Sequence, residues 1–370
     1  MSITYRNFIG LLSFLIFAFF INFSSNNYSY FNYDSVPYAA SAYILKNKDK
    51  DESHSYAWGL LEDKAPEFVF NDLCCATEYR ISMYKNQESF IAQLPSYQTK
   101  SLYIYFIRIT SDALKVDEYD AMRLITIFSI YLTLFFVYLI FLREKTGFLI
   151  ASLPLMILYQ LPSLGRLLTP DSLIFLFFTA ATFFILNKKY YLAALILIAS
   201  ILLRQTNLIY VGLFSTFFIL RKEYWVCALI SFSAVSLYLT NSIIYDSLGY
   251  VKTFNYGLIK IPTDFVNYSP SLTFETYLQT LKGKFMWMLM NENLNRFIAL
   301  FFFQFLLVIT LFIPSHSDRI REILFWSLCF SLSVFLSYIL IPFPDQRLYA
   351  AGLFSSAIFM LKAFCLVYKN

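Results

Sequence analysis

Apolar residues along this chain fall into long unbroken runs rather than the short alternations of a soluble amphipathic fold. The runs cover 8–23, 121–142, 146–162, 172–187, 189–203, 206–220, 224–244, 296–314, 323–341 and 348–367. Most approach the roughly 20 residues that a helix needs to cross a hydrocarbon layer. The pattern predicts an all-α, polytopic transmembrane protein of about ten spans, with 1–370 forming a single transmembrane domain. Two polar stretches, 24–120 and 245–295, are too long to be mere connections. The first is expected to carry helices lying beside the membrane. No internal repeat is evident, which speaks against an inverted-repeat transporter.

Composition supports this reading and narrows it. The 370 residues are 58% hydrophobic and 14% charged, far from an ordinary soluble domain and equally far from a disordered chain. The 42 Phe and 29 Tyr suit a lipid-facing surface with aromatic belts. A net charge of +5 has its source in basic residues beside the runs and points to no nucleic-acid partner. Arg6, Arg143 with Lys145, Lys188 with Lys189, Arg221 with Lys222, Arg319 with Arg321, and Lys369 fall on one side if every run crosses. By the positive-inside rule that side is cytoplasmic, so both termini face the cytoplasm and loops 24–120 and 245–295 face out. No small-x-small site follows the first run at Ser24-Ser25-Asn26-Asn27, so 8–23 is expected to stay as an uncleaved span. Between Lys189 and Arg221 the apolar run is too long for one span and is interrupted at Arg204-Gln205-Thr206-Asn207. Two short helices with that tetrad at the outer turn avoid burying Arg204 at mid-membrane, where it would cost about 2.5–3.5 kcal/mol.

Several kinds of chemistry are poorly supplied. His54 and His316 are the only histidines, too few for a histidine-based metal centre or triad. Five cysteines without a CxxC spacing define no disulfide framework. Nine glycines form no GxGxxG, P-loop or GxSxG motif. No cofactor is expected, and a metal stays open.

The unusual polar residues gather on the outer side. Asp34 follows the first span, and Arg166 and Asp171 lie in Gly165-Arg166-Leu167-Leu168-Thr169-Pro170-Asp171. Arg204 with Gln205 caps the short hairpin, Tyr97 and Lys100 open an apolar interfacial stretch, and Asp345 with Arg347 precedes the last span. An acid among several cations suits chemistry on a phosphorylated lipid: the acid takes a proton from a hydroxyl while the cations neutralise a departing phosphate. Each residue also has a plainer reading. Thr169-Pro170-Asp171 is a good helix start, Asp34 could cap the helix beginning near Val36, Asp345 after Pro344 marks a turn, and Arg166 and Arg204 could snorkel from helix ends.

Asp34 early in a long outer loop, Thr169-Pro170-Asp171-Ser172 opening a Phe-rich span, Leu203-Arg204-Gln205-Thr206-Asn207 between short helices, and the late Pro344-Asp345-Gln346-Arg347 together resemble the GT-C superfamily of integral-membrane glycosyltransferases. The Arg-Gln-Thr-Asn run is similar to one in dolichyl-phosphate-glucose-dependent glucosyltransferases. The topology matches over the whole chain, and the motifs are short. Many members carry paired acids in the first outer loop, whereas here Asp34 is followed by Ser35. The resemblance implies inverting transfer of a sugar from a polyprenyl-phosphate donor to a glycan, lipid or protein acceptor. Asp34 would be the catalytic base, Arg204 and Arg347 would hold the phosphate, and Lys100 or Arg166 would assist. A polysaccharide polymerase and a lipid or polysaccharide flippase are the competing readings. Heavy use of Asn, Lys, Ile, Phe and Tyr suggests a low-GC genome and favours a bacterial inner membrane over the endoplasmic reticulum.

Overall fold

The computed structural model describes residues 31–142, 144, 146–291, 317–343 and 345–367, with separate positions between 8 and 19 and between 298 and 306. The expected spans 8–23 and 296–314 lie largely outside the described residues, as does Pro344. The described residues are helical, with no strand among them.

The first polar stretch is helix after helix: α1 (Ser35–Asn47), α2 (Asp51–Lys64), α3 (Glu67–Cys75), α4 (Glu78–Lys85), α5 (Gln87–Gln93), α6 (Pro95–Gln98) and α7 (Ser101–Leu114). Local chemistry sets their ends. The Thr77 and Asn86 side chains accept from the backbone N–H groups of Arg80 and Ser89, and so cap α4 and α5. Lys48 and Lys115 close α1 and α7 in the left-handed region. Cys74 and Cys75, at the end of α3, are joined by a disulfide. An odd cysteine count gave no means of anticipating that pairing.

The apolar helices follow: α8 (Glu118–Phe141), α9 (Thr146–Leu158), α10 (Leu161–Leu164), α11 (Asp171–Leu186), α12 (Tyr190–Ser200), α13 (Leu208–Leu220), α14 (Tyr224–Ile244), α15 (Gly249–Phe254), α16 (Phe274–Met290), α17 (Asp318–Leu340) and α18 (Arg347–Val367). Among the described residues, α8, α14, α17 and α18 are long and apolar enough to cross a membrane. The apolar helices α11, α12 and α13 are shorter. The run 189–220 breaks where its polar tetrad lies, with Arg204 extended and Gln205–Asn207 forming a single 3₁₀ turn.

Helix α11 sits at the centre, packed on α8, α12 and α18. Helices α17 and α18 approach closely because their facing residues are small. Ser327, Ser331 and Ser356 exchange hydroxyl hydrogen bonds of 2.7 and 2.8 Å across the interface. One turn from Ser356, a Cβ on Gly352 would collide with the Tyr210 hydroxyl and stand 2.8 Å from Val334. Small residues with hydroxyl bridges are the usual means of joining helices in lipid, where apolar burial no longer drives association.

The turn geometry corrects one expectation. After α11 the backbone N–H groups of Asn187, Lys188 and Lys189 bond the carbonyls of Phe183, Ile185 and Phe184. After α13 those of Arg221, Lys222 and Glu223 bond Phe217, Ile219 and Phe218 in the same pattern. The sequence repeats with the geometry. Thr182-Phe183-Phe184-Ile185-Leu186 recurs as Thr216-Phe217-Phe218-Ile219-Leu220, and Lys188, Tyr190 and Ala194-Leu195-Ile196 recur as Lys222, Tyr224 and Ala228-Leu229-Ile230. The chain therefore does hold a short internal repeat. It escapes notice because the match is confined to one turn and its flanks.

Candidate functional site

Three helix starts converge. Asp34 immediately precedes α1, Asp171 is the first residue of α11, and Arg347 is the first residue of α18, with Asp345 two positions earlier. Asp34 stands at the cap position of α1, yet its side chain makes no capping bond. Its Oδ1 accepts from the Tyr97 hydroxyl at 3.2 Å and its Oδ2 from Arg347 Nη2 at 3.1 Å. Asp171 is 4% exposed; one of its oxygens pairs with Arg204 and the other accepts from Thr169 Oγ1 at 2.8 Å. Arg347 Nε lies 3.8 Å from Asp171 Oδ2 and 2.6 Å from Asp345 Oδ2. Arg204 Nη1 donates to the Leu348 carbonyl at 3.0 Å.

The placement of Arg347 is opposed by local physics. A cation at a helix N-terminus faces the positive end of the backbone dipole. Asp34, Asp171 and Asp345 surround the guanidinium and supply the missing compensation. The plain readings of Asp34 as a cap and Arg204 as a snorkelling side chain therefore do not describe what these groups touch. Asp171 does open a helix, but its carboxylate is spent on Arg204 and Thr169.

Beside this network lies a cavity of about 300 Å³. Lys100, Arg204 and Gln205 line it together with Tyr238, Tyr256 and Tyr349, and apolar residues including Leu208 and Leu340 complete the wall. Gln205 is held by a 2.9 Å bond to Ser242 Oγ. Lys100, in the short link between α6 and α7, donates to the Ser96 carbonyl and stands 4.9 Å from the centre of the Tyr97 ring. Among the described residues it has no carboxylate within ion-pair distance. Burial pushes its ammonium down to about 8, partly offset by Asp34 and reinforced by Arg204. Burial, with the Asp34 carboxylate, raises the Tyr97 phenol well above its ordinary value, so the phenol stays protonated and donates. Asp34, Asp171 and Arg347 are not among the residues lining this cavity; Asp34 keeps 29% exposure of its own.

Of the residues marked in the sequence, Asp34, Tyr97, Asp171, Arg204, Asp345 and Arg347 form one connected network, and Lys100 and Gln205 join it at the cavity. Arg166 is half-buried in the turn after α10, on the segment leading into Asp171, and does not line the cavity. Tyr256 and Tyr349 were not anticipated, because tyrosines are too frequent here for one to stand out. A second, largely apolar groove of about 560 Å³, with Lys282 among its lining residues, runs between α16, α17 and α18 and shares Tyr349 with the first. Among the described residues, no group of three or more His, Cys, Asp or Glu stands in a metal-ligating arrangement. No protein-family model matches the chain, and no curated protein or solved structure is detectably similar to it.

Proposed function

We propose that this protein is a membrane glycosyltransferase of the GT-C type, moving a sugar from a polyprenyl-phosphate donor to an acceptor hydroxyl on the outer side of a bacterial inner membrane. In this reading the chain crosses the bilayer about ten times with both termini cytoplasmic. The observation that carries it is the meeting of Asp34 with Arg347, Asp171 and Arg204 beside a cavity where, among the described residues, Lys100 is the cation without a carboxylate partner.

The chemistry follows from that arrangement. The donor phosphate enters the cavity between Lys100 and Arg204, and its lipid follows the apolar groove that begins at Tyr349. The acceptor hydroxyl approaches the exposed side of Asp34. Its oxygen attacks the anomeric carbon from the face opposite the phosphate; the new C–O bond forms as the sugar–phosphate C–O bond breaks, inverting the centre. The hydroxyl proton passes to Asp34, and the bonding pair leaves with the polyprenyl phosphate, where Lys100 and Arg204 meet the added charge. Tyr97 and Arg347 fix the Asp34 carboxylate in place, and positioning and leaving-group stabilisation supply most of the acceleration. Asp171 takes no part in bond making; it aims Arg204 at the cavity.

Among the described residues lining the cavity, Lys100 is the one cation without a carboxylate partner, which favours a monophosphate over the diphosphate donor of a polymerase. The test is incubation of purified protein with labelled polyprenyl-phosphate sugars, looking for glycosyl transfer or release of lipid phosphate. Neither product with any donor, under conditions that keep the protein folded, would remove the assignment.

A further inference from the structure

We infer that the repeated turns after α11 and α13 form a binding face for anionic phospholipid headgroups, separate from the outer cluster. Lys188 and Lys222 occupy equivalent places in the two turns, with φ of 59° and 62°. Lys48 and Lys115 also close helices in the left-handed region, so what marks Lys188 and Lys222 is their equivalent place in two turns with one hydrogen-bond pattern. Both side chains are exposed, as is Lys189. Among the described residues, none of the three has an ion pair.

The acids nearby are already engaged. Glu223 is paired with Arg221 at 2.8 Å, and Glu322 with Arg319 at 3.2 Å and with the Tyr190 hydroxyl. Arg319 also donates to the Leu186 carbonyl, which draws the start of α17 onto the first turn. Asp318 is paired with Arg321. The face consequently carries an unbalanced positive charge from Lys188, Lys189 and Lys222.

Its apolar half fits the same partner. Tyr191, two residues after Lys189, and Tyr224 and Trp225, two and three after Lys222, are 62%, 63% and 85% exposed. Helix α14, which begins there, is the least covered of the four long apolar helices. Ammonium groups followed within two or three residues by exposed tyrosine and tryptophan match the phosphate and glycerol levels of a leaflet rich in anionic lipid. Soluble polyanions would use the lysines and leave the aromatics unexplained, so a bilayer headgroup is the better occupant.

The test uses full-length protein in nanodiscs of mixed phosphatidylcholine and phosphatidylglycerol, with retained lipids counted by native mass spectrometry after release. Wild-type protein is expected to retain phosphatidylglycerol preferentially. The triple variant Lys188→Gln, Lys189→Gln, Lys222→Gln is expected to lose that preference on the order of tenfold or more, by the usual surface-charge contribution of each lysine. The corresponding Lys→Arg triple should keep it, which separates lost charge from lost fold. Lys284→Gln, on α16, should change nothing. Absence of preference in the wild type, or equal retention by the Gln triple, overturns the inference. So does loss in the Arg triple equal to that in the Gln triple. None of these outcomes depends on sugar transfer.

Discussion

Replacing Asp171 with Asn tests whether the ion cluster is held as described. The side chain is 4% exposed and its charge faces two guanidinium groups, Arg204 in contact and Arg347 at 3.8 Å. At that separation two unit charges attract by about 4 kcal/mol with an effective dielectric near 20. Desolvation of the partners offsets much of this while the network is complete, so the cluster adds little net stability as it stands. Removing one partner differs, because the remaining buried charge keeps its desolvation cost without its counter-ion. Arg347 retains Asp34 and Asp345, so the loss falls mainly on Arg204. Asp171→Asn is therefore predicted to destabilise by about 3 kcal/mol, toward the low end for a broken buried pair. In a detergent-solubilised protein of this size that corresponds to a fall in Tm of roughly 5 °C, read by fluorescence-detected thermal unfolding. Adding Arg204→Gln to Asp171→Asn removes the orphaned charge and should return part of the loss, a coupling of about 1–3 kcal/mol in a double-mutant cycle. Strict additivity of the two substitutions, or an unchanged Tm for Asp171→Asn, refutes the reasoning and means that the two charges are not paired in the folded protein.

Other predictions follow from the same geometry. Asp34→Asn should abolish transfer to the acceptor while leaving expression and Tm close to wild type, since Asp34 is partly exposed; full activity would remove it as the base. Arg204→Ala or Lys100→Ala should weaken use of the phosphorylated donor far more than that of the acceptor, and unchanged donor kinetics would exclude them from the phosphate site. The lowered Lys100 value, about 8, has two opposite consequences with pH. Between about 8 and the ordinary lysine value the unfolded chain binds the extra proton, so this group's share of stability rises with pH across that window. Donor binding should instead weaken as pH rises through about 8 and the ammonium is lost, and Lys100→Arg should shift or remove that dependence in a donor-binding titration. Gly352→Ala should cost about 1–3 kcal/mol, because the added carbon meets the Tyr210 hydroxyl and Val334. Tm would report it, and a Tm equal to wild type would show that α18 can shift away from α13 and α17.

Much of the architecture is legible in residue order, because the signals are local. An apolar run of sufficient length must satisfy its backbone within itself, so helices at 121–142, 224–244, 323–341 and 348–367 follow from composition alone and are found as α8, α14, α17 and α18. The polar tetrad at Arg204-Gln205-Thr206-Asn207 interrupts the run at 189–220, and the helix breaks there. Candidate residues were also legible, because in a chain with so few charges each acid or cation beside an apolar run has to be accounted for. Their partners were not. Asp34 and Arg347 lie at opposite ends of the chain, and nothing in local spacing says that Arg347 reaches Asp34 while Arg204 takes Asp171. Pairing across hundreds of residues is decided by which helix ends pack together, a property of the whole core. Local turn geometry, together with the short repeat around it, makes Lys188 and Lys222 equivalent members of one repeated turn as well as orientation signals. Hydrogen bonds fix that equivalence, and composition does not record them.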